Sequence, residues 1–300
     1  MKDRQDQRLI VDILQEAAAA LEGAGIESAR SEAELLLGYC LEKTRTALYL
    51  AGNQCLSGSE CQRFSELIKR RLQREPVAYI TGEREFFSLN FLVTPAVLIP
   101  RPETEFLIES ALARRNRDLP PGAILDLCCG SGVIAIVLAR ELGRSVVALD
   151  ISAEALAIAR QNAIRHKVAQ RVALVQGDLS CCFSGASPFS LVVSNPPYVC
   201  REDIEQHLEP EVSGYEPHLA LDGGTTGLDQ IERICSLLPA LLRPGGDCFI
   251  EIGCAQGAAL RSLLADSVRQ QIFAPVTILQ DYSGRDRVAH IRRTMNDQTT

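Results

Sequence analysis

From Gly122 onward, short runs rich in Val, Ile and Leu alternate with stretches of helical period, and this alternation leaves few folds open. Strands are expected at 124–128, 146–150, 172–176, 189–194, 246–252, 276–281 and 287–293, with helices near 132–142, 152–165, 227–242 and 255–267. A strand parallel to its predecessor needs a crossover, and an intervening helix supplies one. The pattern therefore predicts a doubly wound α/β sheet. The last two strands are joined only by Asp281-Tyr282-Ser283-Gly284-Arg285-Asp286, a link so short that it permits only an antiparallel pair. Ligands of such sheets bind beyond the carboxyl ends of the strands, so the residues that end each strand come first.

The first of these ends is Asp126-Leu127-Cys128-Cys129-Gly130-Ser131-Gly132, a strand that empties into a small-residue turn and then a helix from Val133. About twenty residues on, the next strand, Val146 to Leu149, ends on Asp150. A small turn lets a ligand approach the backbone, and an acid ending the following strand takes ribose hydroxyls. That is the logic of a nucleoside site. The dinucleotide fingerprint Gly-x-Gly-x-x-Gly is absent, since Gly130 and Gly132 are the only glycines in the turn. Asp126 adds negative charge near the ligand, which disfavours a pyrophosphate. A sulfonium amino acid carrying an ammonium group tolerates it, so S-adenosylmethionine fits better than NAD.

The strand Phe189 to Ser194 empties into Asn195-Pro196-Pro197-Tyr198. Each proline fixes φ near −65°, and Pro197 restricts Pro196 to extended conformations. Neither can donate through its nitrogen, so the loop presents acceptors, with Tyr198 as a flat wall. Such a site grips a planar, non-basic NH2 group, either an amide or an exocyclic amine. Asn-Pro and Pro-Pro pairs also mark ordinary turns. What favours chemistry is the coincidence of this loop with the Gly130 turn and Asp150 at three strand ends.

Residues 1–75 read as helices only, a small bundle, with Leu9, Ile10, Ile13 and Leu14 and later Phe64, Leu67, Ile68 and Leu72 at helical spacing. The run Lys69-Arg70-Arg71 with Arg74 reads as a solvated face. Character changes at Glu75-Pro76, and Tyr79 to Thr94 is expected to form a linking β-hairpin turning near Ser88-Leu89-Asn90. A helix then opens at Pro102-Glu103-Thr104-Glu105, whose acids suit a helix N-terminus. The expected domains are 1–75, a substrate-docking bundle; 76–100, the hairpin linker; and 101–300, the catalytic sheet.

A net charge of −7 weighs against a protein whose affinity comes mainly from phosphate contacts, so stable nucleic-acid binding is not expected. The 11 cysteines contain no Cys-x-x-Cys pair, and Cys128-Cys129 and Cys181-Cys182 are immediate neighbours. The four histidines, His166, His207, His218 and His290, are scattered, so no metal is expected. The cysteines read as small buried apolar residues in a reducing cytosol. Met1 to Arg8 is too charged for a secretory signal and no run is long enough to span a membrane, so a cytoplasmic protein with no membrane partner is expected.

Taken together, Tyr79-Ile-Thr-Gly-Glu-x-Glu-Phe-Phe87, Leu98-Ile-Pro-Arg-Pro-Glu-Thr-Glu105, Asp126 to Gly132 and Asn195 to Tyr198 resemble the HemK-type protein-(glutamine-N5) methyltransferases acting on peptide chain release factors. Glu216-Pro-x-x-Ala-Leu-Asp-Gly-Gly224 and Asp281 to Arg287 extend the likeness over most of residues 75–293. The resemblance implies the class I methyltransferase sheet with its last strand antiparallel, S-adenosylmethionine as cofactor, and the glutamine of a release-factor Gly-Gly-Gln loop as acceptor. It implies that the turn Cys128, Cys129, Gly130, Ser131 and Gly132 lines the methionine part of the cofactor, with Asp126 close to the ligand. Asp150 would hold the ribose, Asp178 and Leu179 would border the adenine, and Asn195, Pro196, Pro197 and Tyr198 would hold the glutamine. Two departures stand out: Cys128 where many relatives have glycine, and Leu179 where an aromatic often occurs.

Three alternatives remain at this point. A glutamine of a large-subunit ribosomal protein would use the same chemistry. A nucleic-acid adenine or guanine amine is electronically similar to an amide, though the acidic balance argues against it. A cofactor-binding module without activity is disfavoured by the intact Asn195 and acids.

Overall fold

The computed structural model describes residues 8–116, 119–179 and 189–295. Its chain falls into two compact units, Met1–Glu83 with Pro210–Tyr215, and Arg84–Glu209 with Glu216–Thr300.

The first unit is helical. Helix α1 (Ile10–Gly23) buries Ile10, Ile13, Leu14, Ala17 and Leu21, one stripe at helical spacing. It packs with α2 (Ala29–Leu41), α3 (Arg45–Leu50), α4 (Gly58–Leu72) and α5 (Val77–Thr81) around Leu36, Leu37, Leu48 and Phe64. Helix α4 starts with a capping box: Glu60 N donates to Ser57 Oγ at 3.3 Å, and Ser57 N donates to Glu60 Oε2 at 2.8 Å. The expectation of helices alone needs one correction, because β1 (Arg8–Leu9) pairs antiparallel with β2 (Cys55–Leu56). Two residues are too few to show a period of two.

A second correction concerns Arg71, expected on a solvated face but only 4% exposed. Its Nε donates to Glu32 at 2.6 Å and its Nη2 to Glu211 at 2.9 Å. Glu211 belongs to α10 (Pro210–Tyr215), a short helix far along the sequence that the first unit captures. Arg74 also donates to Glu211, at 3.0 Å, and the Tyr215 hydroxyl donates to the Gln73 carbonyl at 2.6 Å.

The second unit is built on seven strands: β5 (Ala123–Leu127), β6 (Val146–Asp150), β7 (Val172–Gln176), β8 (Phe189–Ser194), β9 (Leu242–Glu251), β10 (Thr277–Gln280) and β11 (Asp286–Arg292). They lie in the order β10-β11-β9-β8-β5-β6-β7. β7, β6, β5, β8 and β9 are mutually parallel, whereas β11 runs antiparallel to both β9 and β10. This is the doubly wound sheet that the alternation implied, with its last strand reversed. Strand β8 is buried at every position, as expected of a central strand covered on both faces.

Helices α6 (Pro102–Leu112), α7 (Val133–Leu142), α8 (Ala153–Arg165), α11 (Asp229–Leu241), α12 (Gly257–Leu263) and α13 (Ala265–Arg269) accompany the sheet. Val133 to Ala139 of α7 are all buried, so this helix has no solvent face over two turns. One cluster holds α7 with Phe86, Phe91, Leu107 and Ile108, and another holds Ile231, Ile234 and Leu238 of α11. The expected helix at 255–267 is broken at Leu264, giving α12 and α13. The short α9 (Arg201–Gln206) carried no readable apolar stripe and was not expected.

The hairpin is narrower than the sequence suggests. Tyr79 to Thr81 are helical in α5, and the strands are β3 (Glu83–Phe86) and β4 (Leu89–Leu92). Phe87 and Ser88 form the turn with φ of 52° and 57°, so the reversal comes one residue before the expected position. Asn162 of α8, fully buried, holds β4 by donating to the Leu92 carbonyl at 3.0 Å and accepting from Leu92 N at 2.7 Å.

Nine described cysteines are free. Cys40, Cys129, Cys235 and Cys248 are buried as expected, but Cys55 and Cys254 are exposed. Cys181 and Cys182 lie outside the described residues. No helix among the described residues is long and apolar enough to cross a membrane.

Candidate active site

The carboxyl ends of β5, β6, β7 and β8 open onto a cavity of about 660 Å³ in the second unit. Cys128, Cys129, Gly130, Ser131, Asp150, Asp178, Leu179, Asn195 and Pro197 line it. Asp126, Gly132, Pro196 and Tyr198 do not; they stand behind or beside the lining.

The turn after β5 is shaped by three left-handed residues, Cys128 (φ 60°), Gly130 (φ 53°) and Gly132 (φ 82°). A side chain at the first position is held in a conformation that glycine adopts freely. A Cβ on Gly130 would meet nothing within 4 Å, so the backbone there is bare. At Gly132 it would sit 3.0 Å from the Ala159 Cβ, so close contact of α7 with α8 requires glycine. Burial pushes the Cys128 thiol up to about 12, with the charges of Asp150 and Asp126 adding to the effect.

Asp150 ends β6 with both oxygens on backbone N–H groups: Oδ2 accepts from Gly130 at 2.8 Å and Oδ1 from Ser152 at 2.9 Å. Burial raises its carboxyl, and those bonds pull it back toward ionisation. Asp126 is fully buried behind the turn, where Oδ2 accepts from Ala135 N at 3.0 Å and Oδ1 has no partner. Burial lifts its carboxyl well above the usual carboxylate range, and the charge of Asp150 lifts it further. The Asp150 carboxylate in this position is hostile to a phosphate and favourable to a cation. At the neighbouring strand end, Arg233 of α11 pairs with Asp178, and Leu179 presents a 5% exposed aliphatic surface. A bare turn, an acid with spare lone pairs and an apolar wall fit an adenosyl sulfonium.

At the end of β8 the Ser194 hydroxyl donates to the Leu127 carbonyl at 2.8 Å, tying this strand to β5. Asn195 follows, its Nδ2 donating to Thr104 Oγ1 at 3.0 Å. Thr104 stands in the first turn of α6 and donates in turn to Glu251 Oε2 at 2.8 Å. The Tyr198 hydroxyl donates to the other oxygen, Glu251 Oε1, at 3.0 Å. Burial pushes the Tyr198 phenol far up, and the carboxylate of Glu251 pushes it further. Its carbonyl accepts from Gln256 Nε2 at 3.0 Å, and a Cβ on Gly223 would lie 2.8 Å from its Cα. The loop is therefore gripped at both ends.

Several of these partners were not singled out from sequence. Thr104 sits in a run whose conspicuous feature is its acids, and Glu251 falls inside an apolar strand. A lone carboxylate at the carboxyl end of the otherwise apolar Cys248-Phe249-Ile250 was the available signal. Arg101 and Glu216 form an ion pair at 2.5 Å, and Glu216 Oε2 also accepts from Ile99 N at 3.1 Å. These two come from separate motifs, and nothing in either run predicts that they meet. Among the described residues, no group of three or more His, Cys, Asp or Glu could hold a metal ion.

Comparison with known proteins bears on the family and the fold. Residues 12–82 match the model of the PrmC N-terminal domain, and residues 103–213 match that of the methyltransferase small domain. A release factor glutamine methyltransferase of Nitratidesulfovibrio vulgaris is 40% identical over 284 residues, covering 94% of this chain and 95% of its own length. Another, from Chlorobaculum tepidum, is 41% identical over 288 residues, covering 93% and 95%. Among solved structures, the hMettl16 catalytic domain in complex with a MAT2A 3'UTR hairpin shares the fold. Its TM-score is 0.55 at 17% identity, with 76% of this chain and 83% of that one covered.

Proposed function

This chain belongs to the release factor glutamine methyltransferase family, and we propose that it methylates the side-chain amide nitrogen of the glutamine in a release-factor Gly-Gly-Gln loop. The observation that carries this reading is the convergence of Asp150, the bare Gly130 turn and Asn195 on one cavity, at the ends of three adjoining strands. S-adenosylmethionine, when bound, supplies an electrophilic methyl carbon and a sulfur that keeps the electron pair of the broken carbon–sulfur bond.

The residues of the chain divide the work. Asp150 takes the ribose hydroxyls with the lone pairs its backbone bonds leave free, Asp178 and Leu179 border the base, and Cys128 to Gly132 give the methionine part access to the backbone. Asn195 Oδ1 and the Pro196 carbonyl each accept one N–H of the glutamine amide. An amide nitrogen is a poor nucleophile, because its lone pair is delocalised into the carbonyl. Fixing it in line with the methyl carbon is therefore the protein's main contribution. Positive charge grows on the nitrogen as the bond forms, and the two acceptors stabilise it there. The N-methylated amide then loses one proton to water, so no strong base is needed.

The helical unit docks the release factor, a role supported by its separate core and its match to the N-terminal domain of this family. The enzyme works in the cytoplasm, where its substrate and its free thiols belong. Incubation with labelled S-adenosylmethionine, a release factor, a ribosomal protein fraction, tRNA and DNA tests the assignment. Label on the release-factor glutamine is expected, and label confined to a ribosomal protein or to nucleic acid overturns it.

A further inference from the structure

The cavity wall contains a buried chain of side chains whose protons can be counted. Glu251 is fully buried, Thr104 is 2% exposed, and the links run Asn195 Nδ2 to Thr104 Oγ1 to Glu251 Oε2, with Tyr198 donating to Oε1. An ionised carboxylate only accepts, so both hydroxyls must spend their single proton on Glu251. Thr104 then faces Asn195 with lone pairs alone. The group of Asn195 turned toward it has to be the NH2, and Oδ1 takes the other branch of the amide. A reversed amide would set two acceptors against each other and lose a buried hydrogen bond.

We propose that Thr104 and Glu251 are positioning residues that fix the polarity of Asn195, keeping an acceptor available in the cavity and selecting a substrate group that brings N–H. The inference rests on the acceptor role given to Asn195 above, and it makes that role a property of three residues. It also explains discrimination at the acceptor: a glutamine presents N–H to Oδ1, whereas a glutamate carboxylate presents a lone pair and is repelled. The charge on Glu251 is the origin of the polarity. Burial raises the Glu251 carboxyl above its ordinary value, and the Thr104 and Tyr198 hydroxyls with the nearby Arg287 draw it back toward the charged form.

Glu251→Gln separates this reading from simple packing. The amide is isosteric, yet its NH2 can donate to Thr104, which frees the threonine proton to point at Asn195 and scrambles the polarity. With release factor and S-adenosylmethionine, Glu251→Gln should lower kcat about tenfold to a hundredfold with cofactor affinity within threefold of wild type and no loss of thermal stability. It should also narrow the preference for a Gly-Gly-Gln over a Gly-Gly-Glu peptide in binding. A kcat within threefold of wild type overturns the proposal. Thr104→Val should show the same kinetic loss, with Thr104→Ser recovering most of it. A serine variant as poor as valine means that the methyl group matters rather than the hydroxyl, and overturns it equally.

A release factor left unmethylated by the wild-type enzyme refutes the substrate assignment instead. The relay then remains readable by NMR, through hydrogen exchange of the Asn195 side-chain NH2. Slow exchange in the wild type and exchange at least about tenfold faster in Thr104→Val support the relay. Equal rates reject it.

Discussion

At the scale of single residues, Asn195 and Asp150 should fail in different ways. Asn195→Ala removes the group proposed to orient the acceptor, so turnover should fall roughly a hundredfold while cofactor affinity stays within a few-fold. Asp150→Ala removes an acid held by Gly130 and Ser152, and cofactor dissociation measured by calorimetry should rise about tenfold or more. Cys128 offers a third test, because its φ of 60° suits glycine. Cys128→Gly relieves strain but loosens the unfolded chain, so stability should change by less than about 1 kcal/mol. Cys128→Val places a branched side chain in the same conformation and should cost about 2 kcal/mol in denaturant unfolding. Cys128 to Ser131, Asp150, Asp178, Leu179, Asn195 and Pro197 could be placed at the cavity from sequence because each ends a strand or follows one. Thr104 and Glu251 could not, because a hydrogen bond between residues 147 positions apart leaves no mark on either run.

At the scale of elements, strands and helices of the sheet unit could be read to within a few residues, since each is long enough to show its period. The failures are short pieces governed by partners rather than by pattern: β1, β2, α5, α9 and α10. Helix α10 is the clearest case, held by Arg71, Arg74 and the Gln73 carbonyl. Glu211→Ala leaves the buried Arg71 with one carboxylate fewer and should cost about 2 kcal/mol in thermal unfolding, with faster amide exchange in residues 210–215. Burial pushes the Glu211 carboxyl up, but bonds from Arg74 and Arg71 outweigh it and leave the group below its ordinary value of 4.5. Its stabilisation is therefore complete above that value and is lost as pH falls through the depressed one. Acid titration should show this loss in the wild type, and Glu211→Gln should flatten it.

At the scale of the whole molecule, the sequence suggests divisions at residues 75 and 100, whereas the compact units part after Glu83 and the first also takes residues 210–215. The docking role proposed for the helical unit predicts a specific kinetic split. Tyr49 and Leu50 of α3 are 88% and 81% exposed, and no core position explains them. Replacing both with serine should raise KM for intact release factor about threefold or more while a short Gly-Gly-Gln peptide is methylated as before. Equal effects on both acceptors would remove the helical unit from substrate capture. The path of the backbone adds a constraint on ancestry. Because the chain leaves the sheet unit after Glu209 and rejoins it at Glu216, the bundle is encoded in two separated stretches. A hybrid gene that swaps only the leading 83 codons would pair a foreign bundle with a native clasp, so recombinants between relatives should survive only when both stretches come from one parent.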